Sequence, residues 1–223
     1  MKQEVSPVQK VLNTWAIVLI LWSAYRVYFG TELPIWFDEL IAKPLIFLIP
    51  IYLYITHFER KNLLKSLDLW NKETRSGVLF GGAVGGLFLL IGGIIYTLSH
   101  PLSPSSFSLH ILGTVLGYIA IAFATSFSEE LLSRGFVLKR LYEESKHSWM
   151  SVLFASFLFF FLHIPMLLTH PDLQGSVLLQ VMMTDILLSL TVSTLYLYKR
   201  SVWTPIVIHA CYSLSLYLFL RPA

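Results

Sequence analysis

Two adjacent glutamates, Glu129 and Glu130, follow an apolar run, and Arg134 comes shortly after them. On a helix, residues four apart share a face, so Glu130 and Arg134 are placed to form an ion pair. Glu129 is turned about 100° away around the helix axis. Its carboxylate stays free to take a proton from water, which is general-base chemistry. The pattern therefore predicts one paired and one free carboxylate on a single helix.

Two histidines, His163 and His209, lie inside other apolar runs. Phe159 precedes His163 by one helical turn and Ser213 follows His209 by one turn, so each pair shares a helix face. A lone histidine in an apolar run is more often a packing residue than a base. Two of them, together with an acidic pair, predict a common polar site on three helices. The other histidines fall at or near the ends of apolar runs, at His57, His100, His110, His147 and His170.

Asp185 is a further acid inside an apolar run, and Cys211 is the one cysteine of the chain. Acids within spanning helices face the interior of the bundle, so Asp185 either lines the same cavity or pairs with an arginine. Cys211 lies two residues after His209 and therefore on nearly the opposite helix face. We interpret it as a small core residue, and a single cysteine excludes both a disulfide framework and a CxxC metal pair.

The elements that position these residues must be membrane helices. Hydrophobic residues make up 56% of the 223 residues, charged residues only 13%, and the mean hydropathy is +0.69, whereas soluble domains carry about 25% charged residues. Because each spanning helix uses about 20 residues, the sequence predicts an all-α polytopic bundle with about seven spans in one membrane domain, 1–223. The apolar runs are 11–28, 40–58, 77–98, 110–128, 150–168, 175–198 and 202–220.

The charges between the runs predict the orientation, since Lys and Arg concentrate in cytoplasmic loops. Basic loops at 59–76 and 134–146 alternate with loops at 99–109 and 165–174 that hold neither residue. The N-terminus is therefore predicted inside and the C-terminus outside, with Arg26, Lys43 and Arg221 as exceptions. The net charge of +3 belongs to these loops, so nucleic acid is not an expected partner. The mixed Leu and charged residues of 59–76 predict a cytoplasmic helix lying in the membrane interface.

One apolar run also carries glycines at a spacing of four, at Gly77, Gly81 and Gly85. A helix face without side chains allows a neighbouring helix to approach closely. This pattern predicts packing and no chemistry.

The polar motifs, taken together and in order, resemble the CPBP family of CAAX proteases and bacteriocin-processing enzymes, also called the Abi family. That family carries EExxxR, FxxxH and HxxxN on three successive motif-bearing membrane segments, and the resemblance covers about residues 110–220. Here Ser213 stands where Asn is usual. The matching positions are Glu129, Glu130 and Arg134, then Phe159 and His163, then His209 and Ser213.

The resemblance implies an intramembrane endopeptidase of a prokaryotic plasma membrane. It implies that Glu129 with His163 activates a water, and that His209 with Ser213 stabilises the oxyanion. The expected substrate is a membrane-associated protein or peptide, prenylated or leader-bearing, and the other partner is membrane lipid. Glu129, His163 and His209 also match a His₂Glu zinc set, but the chain has no HExxH helix, and no cofactor is expected.

Two alternatives stay open at this point. The chain can be an inactive scaffold or bacteriocin-immunity protein that keeps the family's fold, which the serine at position 213 favours. It can also be a proton-coupled small-molecule transporter, in which intramembrane Glu, His and Asp form a relay. Transporters usually contain two related halves, whereas this chain has no repeat and its polar candidates all lie in the C-terminal half.

Overall fold

The structure is a computed structural model that describes residues 6–29, 33–99, 109–169 and 175–220. Within these ranges it contains eight helices and no strand. Six helices are long and apolar enough to cross a membrane, and the last helix is a shorter apolar one. The prediction of an all-α multi-pass membrane bundle is confirmed.

The helices follow the predicted runs closely, with one or a few extra residues at most ends. They are α1 (Pro7–Tyr28), α2 (Ile35–Glu59), α3 (Leu63–Ser66), α4 (Thr74–Ser99), α5 (Leu109–Glu130, continuing as Leu131–Leu138 and Lys139–Ser145), α6 (Ser148–Thr169), α7 (Gly175–Lys199) and α8 (Trp203–Ser215, continuing as Leu216–Leu220).

Local sequence signals explain several helix ends. Ser6 caps α1 by accepting a hydrogen bond from the Gln9 amide at 3.1 Å, and Pro7 occupies the first turn, where its missing N–H costs nothing. The residues directly after α2, α5 and α7 adopt a left-handed backbone, which ends each helix. These residues are Arg60, Lys146 and Arg200.

The basic loops gather at one end of the bundle. Arg140 near the end of α5 pairs with Glu59 at the end of α2, at 2.6 Å. Lys139 pairs at 2.7 Å with Asp68, which also accepts a hydrogen bond from Tyr196 of α7. The start of α1 joins them through the hydrogen bond from Val8 N to Glu144. Alternate long helices therefore run in opposite directions, as the charge pattern predicts, while the predicted external loop 99–109 lies outside the described residues except at its two ends.

The predicted interfacial helix over 59–76 is wrong. Between the end of α2 at Glu59 and the start of α4 at Thr74, only Leu63–Ser66 is helical, and turns follow up to α4. Leu67 and Leu69 are both buried, at 2% and 8% exposure. A helix lying in the membrane interface would not bury both, because residues two apart point in nearly opposite directions. Asp68 between them has a φ of 54°, and this left-handed residue directs both leucines into the core.

The glycine face of α4 packs against α8, as predicted. A Cβ at Gly81 would lie 3.0 Å from the carbonyl oxygen of Thr204, and one at Gly85 would lie 2.8 Å from Cβ of Cys211. About 100° around the helix from Gly85, a Cβ at Gly86 would meet nothing within 4 Å. Cys211 therefore packs on α4, as its position relative to His209 predicts, and α8 is held between α4 and α5.

Helix α5 is continuous through the acidic pair, as predicted, but its residues Leu131–Leu138 form a π-helix and are all buried. Such widened turns inside α-helices are frequent at functional sites. Arg140 follows Glu130 by ten residues of helix, so the acidic pair lies inside the bundle, away from its basic end. The surrounding core includes Trp22 of α1 and Phe47 of α2.

Candidate active site

The carboxylate of Glu129 on α5 lies between two imidazoles from different helices. Its Oε2 is 3.6 Å from Nε2 of His163 on α6 and 3.8 Å from Nε2 of His209 on α8. All three residues lie in the interior, and Glu129 Oε2 is buried without a hydrogen-bond partner among the described residues. Hydrogen bonds of about 2.8 Å let one water reach Oε2 and either nitrogen. The sequence-predicted residues Glu129, His163 and His209 therefore converge, at distances that one water could bridge.

Both imidazoles are held through their other nitrogen. Nδ1 of His163 bonds the carbonyl oxygen of Phe159 at 3.0 Å, and Nδ1 of His209 bonds Oε1 of Glu130 at 2.8 Å. Carbonyl and carboxylate oxygens only accept, so Nδ1 carries the proton in each ring. In the neutral ring Nε2 is then an acceptor that faces the acceptor Oε2 of Glu129. A water molecule supplies the donor that this arrangement lacks.

Glu130 and Arg134 form the fixed side of the site, with exposures of 0% and 1%. Nη1 of Arg134 donates to Glu130 Oε1 at 2.9 Å, the same oxygen that accepts from His209. The remaining guanidinium donors bond α7: Nε donates to Ser193 Oγ at 3.2 Å, and Nη2 donates to Ser189 Oγ at 2.6 Å and to its carbonyl oxygen at 3.1 Å. Glu130 thus orients His209 and does not itself face Glu129's open side.

Phe159 fills the space between these groups. The guanidinium carbon of Arg134 lies 4.4 Å from the centroid of its ring, a cation–π contact. The same ring lies 4.5 Å from the ring of His163 and 6.1 Å from that of His209, the latter edge-on. Phe159 is 2% exposed, so its ring is a buried apolar contact shared by the arginine and both histidines.

Asp185 and Ser213 lie at the margin of the site. Asp185 is half-buried on α7, one turn before Ser189, within electrostatic range of Glu129 and of both histidines, and it forms no ion pair with an arginine among the described residues. Of the two predicted alternatives, an arginine partner is therefore not found in this part of the chain, and the position of Asp185 at a cavity stays a prediction. Ser213 is half-buried one turn after His209 and forms no hydrogen bond with another described residue.

Lys43 of α2 is the residue that the sequence interpretation missed. Its Nζ lies 3.0 Å from Glu129 Oε1 and 2.5 Å from Glu39 Oε2, and Thr125 donates to the same Glu39 oxygen at 2.7 Å. The expectation of a free Glu129 carboxylate is therefore wrong for one of its two oxygens. Spacing along α5 cannot reveal a partner from another helix. Lys43 could have been found because it is a single lysine inside an apolar run, and such a lysine needs a buried acidic or polar partner.

Arg26, the second exception in the charge pattern, has the same explanation. It pairs with Asp38 of α2 at 2.9 Å, and Tyr25 donates to the other oxygen of that carboxylate. Arg26 and Lys43 are thus buried ion-pair residues and say nothing about which loops are cytoplasmic, and the third exception, Arg221, lies outside the described residues.

A zinc ion at Glu129, His163 and His209 does not fit the observed arrangement. Among the described residues no three His, Cys, Asp or Glu side chains have the mutual geometry of a metal site. The ammonium of Lys43 already occupies one oxygen of the carboxylate that would be the anionic ligand. That the reaction needs no metal stays a prediction.

Comparison with known proteins gives one match. Residues 111–215 match the family model of the Rce1-like type II CAAX prenyl endopeptidases. The matched segment runs from α5 to α8 and contains Glu129, His163 and His209, whereas α1, α2 and α4 lie outside it. No curated protein and no solved structure matches the chain.

Proposed function

Because residues 111–215 match the family model of the Rce1-like type II CAAX prenyl endopeptidases, we propose that the protein belongs to that family and is an intramembrane endopeptidase. The substrate is a membrane-associated protein or peptide, and the reaction is hydrolysis of one peptide bond. The observation that carries the proposal is the unpaired Oε2 of buried Glu129, which faces Nε2 of both His163 and His209.

The arrangement supports a general-base mechanism. Glu129 accepts a proton from the bridging water, whose oxygen attacks the scissile carbonyl carbon. The proton then moves to His163 Nε2, 3.6 Å away, and from there to the departing amine as the carbon–nitrogen bond breaks. His209, whose Nδ1 is held by Glu130, has the role of stabilising the oxyanion. Ser213 supplies a second donor to the same oxygen.

The position of the site supports a substrate that is held in the membrane. Glu129 is buried on a helix long and apolar enough to cross a membrane, so we expect the scissile peptide bond to belong to a chain anchored at or within the bilayer. The family name points to a prenylated C-terminal peptide, and a leader-bearing peptide is the second candidate.

Cleavage by the purified protein in vesicles tests the proposal. Quenched fluorescent peptides, with and without a prenylated cysteine, are compared on wild-type protein and on Glu129→Gln. The variant keeps the shape and loses the proton acceptor, so we expect the cleavage rate to fall by roughly 10²–10⁴-fold with an unchanged melting temperature. Chelation is expected to leave the wild-type rate unchanged. Full activity of folded Glu129→Gln protein would remove this mechanism, and no cleavage by wild-type protein would favour the scaffold or transporter alternatives.

We also propose that the basic end of the bundle lies in the cytoplasm of a prokaryotic cell, with the N-terminus inside. Single cysteines at Lys65 and Ser105 test this in a Cys211→Ala background. A membrane-impermeant maleimide applied to cells should label position 105 and not position 65. The reverse labelling would invert the topology.

A further inference from the structure

The buried lysine on α2 touches the carboxylate at the centre of the candidate site. Lys43 is 3% exposed and lies outside the family-matched segment. A lysine in an apolar span costs roughly 2.5–3.5 kcal/mol on insertion scales. The partners that bind its ammonium must therefore offset that free energy. We propose that Lys43 is a positioning residue for Glu129, contributed to the active site by the N-terminal part of the chain. The proposal rests on the proposed function.

The contact fixes which oxygen of Glu129 is open. Lys43 Nζ holds Oε1 at 3.0 Å, and the carboxylate plane then directs Oε2 toward the two Nε2 atoms. The only hydrogen bond that Glu129 receives among the described residues is the one from Lys43. Without it, the side chain is free to rotate, and Oε2 loses its fixed distance from His163 and His209.

Lys43 is itself held from three sides. Glu39, one turn earlier on α2, bonds the same ammonium, and Thr125 of α5 fixes Glu39 through a hydrogen bond of 2.7 Å. The ring of Trp22 on α1 lies 5.3 Å from Nζ. Few side-chain conformations of Lys43 satisfy all of these contacts, so its ammonium has a well-defined position between α1, α2 and α5.

The charges of Lys43, Glu39 and Glu129 distinguish two roles for Lys43: positioning Glu129 or neutralising Glu39. Lys43 is shared by two carboxylates, Glu39 and Glu129, so this group keeps one negative charge. A residue that served only to neutralise Glu39 would have no need to touch Glu129. Removing Lys43 and the charge of Glu39 together restores the charge balance, yet it leaves Glu129 without its donor. The double change therefore separates the two roles.

Three variants make the experiment. Lys43→Met removes the ammonium and keeps much of its apolar length. Lys43→Met with Glu39→Gln also removes the stranded carboxylate. Arg26→Met is the matched control, because it breaks another buried ion pair between α1 and α2 that does not touch Glu129. For each variant, kcat, KM and melting temperature are measured, and ¹⁵N spectra of labelled histidines are recorded, with His163→Gln to assign that ring.

We expect Lys43→Met to lower both the melting temperature and kcat. In the double variant the melting temperature should return to within about 4 °C of wild type, while kcat stays about 10²-fold low, as expected for a misplaced reacting group, and KM changes little. The His163 signal should move in the double variant and not in Arg26→Met, which should lose stability and keep kcat.

A stable double variant with the wild-type kcat and an unmoved His163 signal would overturn the proposal and leave Lys43 as the counter-ion of Glu39. The spectra test the position of Glu129 whether or not cleavage is observed. Failure of the proposed function appears separately, as absent cleavage by wild-type protein whose His163 signal still responds to the loss of Lys43.

Discussion

Helix α5 carries two arginines, Arg134 and Arg140, in surroundings that look alike. Each guanidinium lies 4.4 Å above a phenylalanine ring. Each also pairs with a glutamate: Arg134 with Glu130 at 2.9 Å in the middle of the bundle, and Arg140 with Glu59 at 2.6 Å at its basic end. The two clusters differ in how completely their carboxylate oxygens are used.

At the basic end both oxygens of Glu59 accept hydrogen bonds, from Arg140 and from Ser66. In the middle, Oε2 of Glu129 and Oε2 of Glu130 are buried with no partner among the described residues. A buried acceptor without a donor is costly. The complete cluster therefore belongs to the structure of the bundle, and the incomplete one is placed to take a substrate or a water.

Replacing the two arginines should have the largest effects and should separate the clusters. In Arg134→Met, Glu130 stays buried without its cation, so we expect a loss of about 3–5 kcal/mol in stability and loss of cleavage. Arg140→Met lies near water and should lose about 1.5–3 kcal/mol, with kcat kept. Denaturation and cleavage assays of both proteins check this. Equal loss of kcat in the two variants would contradict the assignment of the Arg140 cluster to structure and the Arg134 cluster to the site.

His163→Ala should act on chemistry alone. It removes the group that relays the proton from Glu129, so we expect the cleavage rate to fall by roughly 10²–10⁴-fold while the melting temperature changes little. His147→Ala is the control, since that imidazole is exposed at the start of α6. If the two alanine variants cleave at the same rate, His163 has no part in the reaction.

A smaller effect should come from the helix packing that positions His209. A Cβ at Gly85 would meet Cβ of Cys211 at 2.8 Å, so Gly85→Ala must push α8 away from α4. We expect a loss of about 1–3 kcal/mol in stability, together with lower activity as His209 shifts. Gly86→Ala, whose Cβ meets nothing, should match wild type in both assays. Similar behaviour of the two variants would mean that α8 is not seated by this contact.

The smallest change is expected for Ser213→Asn. Serine supplies one hydroxyl donor, and an amide supplies two, so the asparagine found in the resembling family should keep the rate or raise it by a few-fold. The measurement is kcat with KM on the same peptide. A large loss of kcat would show that the pocket around α8 is shaped for serine, and that the resemblance does not extend to this position.

The sequence was sufficient for the helices and for the residues that α5, α6 and α8 each bring to the centre. Long apolar runs and the four-residue spacing of Glu130 and Arg134 depend on one helix at a time, which is why they can be read locally. The turn at Asp68 could not be predicted in this way. It depends on Leu67 and Leu69 both finding space in the core, which outweighs the helical pattern of the segment.

The missed site residues all come from helices that carry no motif. Lys43 approaches from α2, and Ser189 and Ser193 approach from α7. The two serines fall one and two turns after Asp185, so a polar face of α7 was visible in the sequence. The partner of this face could not be predicted, because the polar residues of one helix do not show which neighbouring helix they contact. The π-helical turns of α5 likewise have no local signature in the sequence.

The unequal lengths of the helices give bilayer thickness a role. At about 1.5 Å per residue, α4 with its 26 residues spans about 39 Å, while the apolar Trp203–Phe219 of α8 is at most 17 residues long and reaches about 26 Å. Because the described part of α8 is shorter than a hydrocarbon layer of about 30 Å, we expect that layer to thin beside it or the neighbouring helices to tilt. The resulting mismatch force acts on the helix that carries His209. We therefore expect the acyl-chain length of the surrounding lipid to affect the position of His209 in the site.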